Sequence, residues 1–167
     1  MIILLMYLIG FLASFPVALA AIFIFYGDVA LFSQLAIGLI SSSILIIFLR
    51  TIFRKERPNV YGMKKSFLHH LSRTKLRILH HYFEEIDKRS FASGHVARII
   101  VFMTVFYLNN FPIEYVIYLG VFAVIMAFAR LYVKRHVFID IVTGAIIGAV
   151  SGYFGFYVFN QFIFQFI

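Results

Sequence analysis

The sequence predicts an all-α integral membrane protein: a helical bundle of about five transmembrane helices, with one amphipathic helix lying in the membrane interface. Three observations carry that expectation. Of the 167 residues, 63% are hydrophobic and mean hydropathy is +0.97. Only 13% are charged, roughly half the usual share for a soluble domain. The apolar residues also gather into stretches near the roughly 20 residues that cross a bilayer.

The first stretch, Ile2–Tyr26, contains "ALAA" at 18–21, which faintly resembles a signal-peptide cleavage site. Its start, "MIILLM", has no basic residue, so a retained helix is predicted. Val29–Leu49 is the second span. Val96–Leu108 is short, but its flanks carry no full charge beyond a His95 proton and Arg98 can snorkel, so it counts as the third. Pro112–Phe128 and Val137–Ile167 complete the set. No repeat or linker divides residues 1–167, which read as one membrane-embedded domain. There is no cysteine, which excludes disulfides and thiolate chemistry.

All 15 Lys and Arg residues fall between Arg50 and Arg98 or between Arg130 and Arg135. Five spans bring both regions to one side of the membrane. The positive-inside rule assigns that side to the cytoplasm, and a basic face also suits anionic lipid headgroups. Nucleic acid is excluded as a partner by so apolar a chain. Residues 63–89 lack Gly and Pro and repeat Phe67, Leu71, Ile78, Tyr82 and Ile86 at near-helical spacing, which predicts the interfacial helix. Its pairs His69–His70 and His80–His81 are about 16 Å apart along a helix and lack metal-ligand spacing. They read as part of a solvated basic face.

Three clusters share the basic side. In "RLYVKRHVFID", His136 and Asp140 are four apart, hence neighbours on a helix face, where the carboxylate can orient the imidazole. Arg130 faces them across the predicted loop. "FASGH" supplies Ser93 as a helix cap, Gly94 for close approach of an anion to backbone N–H groups, and His95. "RTIFRKERP" supplies Arg50 and Arg57. Arginines read phosphate through forked hydrogen bonds, so a lipid phosphate headgroup is the ligand these clusters suit.

The order Arg-x6-Arg-Pro, Ser-Gly-His, Arg-x5-His-x3-Asp over residues 50–140 resembles the signature of the type 2 phosphatidic acid phosphatase family, which includes vanadium haloperoxidases and glucose-6-phosphatase. Arg50 stands where Lys is usual, Ala92 replaces a Pro and Ala129 a Ser. The resemblance implies metal-independent hydrolysis of a lipid phosphate or diphosphate, without a cofactor. His136 would be the nucleophile, forming a phosphohistidine, with Asp140 fixing its tautomer and His95 as acid and base. Arg50, Arg57, Ser93, Gly94 and Arg130 would bind the phosphate. Phosphatidic acid, phosphatidylglycerophosphate and a polyprenyl diphosphate all remain open as substrates. A headgroup phosphotransferase using the same histidine, and a noncatalytic lipid-phosphate binding or transport protein, are the alternatives. The protein is expected as a multi-pass cell-membrane protein. The resemblance favours an extracytoplasmic site; the charge split tips the expectation to the cytoplasmic face.

The Gly144, Gly148 and Gly152 ladder predicts close helix packing within the chain.

Overall fold

The computed structural model describes residues 14–53, 91–133 and 135–163. Among these residues there is no strand, and five helices follow one another: α1 (Phe15–Ile22), α2 (Val29–Phe53), α3 (Gly94–Leu108), α4 (Ile113–Tyr132) and α5 (Phe138–Val158). A 3-10 turn, Phe23–Phe25, follows α1, and a π-helical segment, Phe159–Ile163, extends α5. The predicted all-helical class and the five-helix order are both present. The interfacial helix expected at 63–89 lies outside the described residues.

Three of the helical segments, Val29–Phe53, Ile113–Tyr132 and Phe138–Phe162, are long and apolar enough to cross a membrane. The segment counted as the third span is shorter: α3 has 15 residues, or about 22 Å at 1.5 Å per residue, against a bilayer core of about 30 Å. Polar side chains close its far end. Asn109 donates through Nδ2 to Val105 O at 2.8 Å and to Oε1 of Gln34 on α2 at 2.6 Å. Asn110 takes the left-handed conformation (φ 56°), and the Phe111 N–H returns to Phe106 O, a helix-ending turn that an Asn tolerates. At the same end Asp28 accepts the Leu31 N–H at 3.0 Å and caps α2.

Helix α5 sits between α2 and α3, and its small residues explain how. A β-carbon on Gly152 would lie 2.8 Å from Thr104 Cβ and 3.1 Å from Val101 O, while one on Gly148 would strike the Ala97 carbonyl of α3. The ladder thus packs within the chain, as predicted. Gly155 extends it toward Gln34 and Gly38 of α2. Large apolar side chains on the outer faces, such as Ile44 and Phe48 of α2, Val124 and Phe128 of α4, and Val150 of α5, are exposed. Exposure on this scale suits contact with lipid.

Candidate active site

The ends of α2 and α4 and the starts of α3 and α5 meet at one end of the bundle. Ala92, immediately before the α3 cap, has φ 61°, a left-handed backbone that residues with a β-carbon adopt at some cost. Proline fixes φ near −65°, so the family's usual residue could not take this conformation. The swap at position 92 therefore matters to the backbone.

Ser93 is the N-cap residue of α3, yet its side chain makes no capping bond. This corrects the expected cap. The Ser93 hydroxyl is buried and has no hydrogen-bond partner among the described residues. The main chain fixes the residue instead: the Ser93 N–H donates to the Asp140 carbonyl at 2.8 Å. Gly144, one turn further along α5, makes that approach possible, because a β-carbon there would lie 2.5 Å from Ser93 O.

His136 and Asp140 are paired, but not along a helix face. Val137 is the N-cap of α5, so His136 lies just outside the helix. Asp140 reaches back from the first turn. Its Oδ2 accepts the Val137 N–H at 3.1 Å and stands 3.6 Å from His136 Nδ1. This is the acidic half of a capping box. Val137 has no side-chain oxygen to reciprocate, and its carbonyl accepts the Asp140 N–H at 3.0 Å. At 3.6 Å the His136 contact is electrostatic rather than a hydrogen bond. Nδ1 faces the carboxylate, which leaves Nε2 as the other ring nitrogen. His136 is 4% exposed and Asp140 0%, so water screens their interaction little.

Arg50, on the last turns of α2, donates through Nη2 to Ala92 O at 3.4 Å, a long bond. Arg130 is buried within α4, which runs on to Tyr132. The loop that leads to His136 therefore begins only after Tyr132, and Arg130 is a helix residue. Its carbonyl accepts the N–H of Arg135, the neighbour of His136, at 3.1 Å. Gly94 and His95 form the first turn of α3, His95 half-buried. Arg57 lies outside the described residues.

Sequence reasoning missed Arg98 as a member of this group, treating it as a snorkelling cation. Helical side chains lean toward the N-terminus, and Arg98 is four residues beyond Gly94. Its Nη2 accordingly stands 3.4 Å from where a Gly94 β-carbon would be, a position that Ile46 of α2 also approaches, and the guanidinium is within electrostatic reach of Arg50. The spacing was visible; the proximity to Arg50 was not. Among the described residues, no three His, Asp or Glu side chains gather as a metal site.

The end of the bundle thus combines an oriented imidazole, cationic side chains and an unspent hydroxyl, a set suited to a tetrahedral oxyanion. A family model described as the PAP2 superfamily matches residues 29–164, from the first residue of α2 to beyond the π-helical segment. The chain belongs to the PAP2 superfamily. Membership bears out the resemblance seen in the three motifs and supports a membrane-associated lipid phosphatase. The crystal structure of Aquifex aeolicus LpxE is similar at a TM-score of 0.70 and 21% identity, covering 92% of this chain and 84% of that one. At that identity the likeness speaks for the fold. No curated protein matches the sequence.

Proposed function

We propose that this PAP2 protein is a metal-independent phosphatase that removes phosphate from a membrane lipid phosphate or diphosphate through a phosphohistidine on His136. The junction at Asp140 carries the reading. One residue holds Ser93 through its carbonyl and faces Nδ1 of His136 through its carboxylate. A nucleophile and a phosphate-binding turn thereby share one rigid support.

In this mechanism His136 Nε2 attacks phosphorus, and the bond to the leaving oxygen breaks as the N–P bond forms. Asp140 stabilises the charge the ring acquires. His95 protonates a departing alkoxide and then takes a proton from the water that cleaves the N–P bond, returning the electron pair to His136. Arg50, Arg57, Arg130, the Ser93 hydroxyl and the Gly94 N–H hold the phosphate oxygens, where charge stabilisation is usually the largest single contribution. A phosphate oxygen would satisfy the buried Ser93 hydroxyl, which no described residue does.

The test is phosphate release in EDTA by the wild type and His136→Ala, from phosphatidic acid, phosphatidylglycerophosphate and a polyprenyl diphosphate. The expected result is release that survives EDTA and falls on the order of 10⁴-fold or more in the variant. Release that requires a divalent ion, or that His136→Ala retains, overturns the mechanism. Phosphate passed to an added acceptor instead of water identifies a phosphotransferase. Binding without release identifies a carrier.

A further inference from the structure

Arg98 lies outside the three motifs, yet it belongs to the same end of the bundle. It is three residues beyond His95 and four beyond Gly94 on α3, so along the axis it lies about 6 Å deeper than Gly94. The guanidinium bends back over Gly94, a residue that Ile46, one turn before Arg50 on α2, also approaches. Arg50 and Arg98 are close enough to repel, and in an apolar bundle such repulsion is weakly screened. An anion between them would relieve it. A lipid diphosphate brings one more negative charge than a monoester.

The direction of the chemistry assigns the anion. If His136 attacks from the α5 side and His95 serves the departing oxygen, the leaving group lies on the α3 side of phosphorus. The lipid tail must run from there into the bilayer, past the turn of α3 that carries Arg98. We propose that Arg98 binds the leaving phosphate of a lipid diphosphate and makes the site favour diphosphates over monoesters, an inference that rests on the phosphatase reading above. When Nε2 takes the terminal phosphorus of a diphosphate, the bond to the bridging oxygen breaks and the electron pair stays on that oxygen. The lipid monophosphate leaves with one more negative charge, which Arg98 stabilises as it develops. A monoester leaves as an alcohol after taking a proton from His95, and presents Arg98 with no comparable charge.

The experiment compares kcat/KM for a polyprenyl diphosphate and for phosphatidic acid in the full chain, as wild type, Arg98→Gln and Arg98→Lys. The ratio of the two constants within one preparation is the readout, since misfolded molecules drop out of both. In Arg98→Gln the ratio should fall by roughly 10²-fold, the larger loss falling on the diphosphate. Arg98→Lys, which keeps the charge and loses the fork, should fall part of the way and supplies the ratio if the Gln variant fails to fold. An unchanged ratio overturns the proposal, as does a wild type active on the monoester alone, and both leave the phosphatase reading standing. A wild type that releases phosphate from neither lipid overturns both.

Discussion

The two ends of the bundle use the same polar devices to opposite effect. At the far end, Asp28 caps α2, and Asn109 closes α3 onto Gln34 and Val105. At the other end, the cap residue Ser93 does not cap, and its buried hydroxyl has no partner among the described residues. An unmet buried polar group destabilises by about 1–3 kcal/mol, and the arginines gathered beside it repel. One end is finished as structure; the other is held by backbone contacts and leaves the Ser93 hydroxyl unspent among the described residues, as the proposed phosphate site requires.

Substitutions can break that comparison or sharpen it. The largest effect is expected for Asp140→Asn, which nearly preserves shape while removing the charge that faces His136 Nδ1. Phosphate release should fall by about 10³- to 10⁴-fold, as when a histidine loses its orienting carboxylate, in a chain that still purifies as a folded protein. Ser93→Ala should lower kcat/KM by roughly 10- to 100-fold, below the loss seen at a dedicated oxyanion donor, with thermal stability unchanged or raised because the hydroxyl holds none of the described residues. Stability that drops with Ser93→Ala would mean the hydroxyl is structural. Gln34→Leu should do the reverse, lowering stability by about 0.6 kcal/mol, a typical interhelical hydrogen bond in a bilayer, while activity per folded molecule is retained. Loss of activity in that variant, measured against the folded fraction, would erase the distinction between the ends.

Much of this was legible in the residues. Spans show in hydropathy, which is local, and the meeting of "RTIF", "ASGH" and "RHVFID" at one end follows from counting them. The ladder of Gly144, Gly148 and Gly152 announces close packing by its spacing alone. Other features depend on contacts between segments distant in sequence. The Ser93 side chain is not a cap because the Ser93 backbone is held by Asp140 across Gly144, a relation no local pattern encodes. His136 falls outside α5 because the capping role of Asp140 sets where that helix begins. The shortness of α3 is balanced by Gln34, 75 residues from Asn109. Arg98 looked like a snorkelling cation because nothing in sequence marks its nearness to Arg50.

The most direct test of the central claim is to look for the covalent intermediate. Wild type and His136→Ala would be mixed briefly with a lipid phosphate radiolabelled in its transferable phosphate, then quenched in alkali, which preserves an N–P bond. The account predicts label on the wild-type chain that resists alkali, is released by acid, maps to His136 and is absent from the variant. An active wild type whose label maps to another residue, or a variant that labels equally, would contradict it.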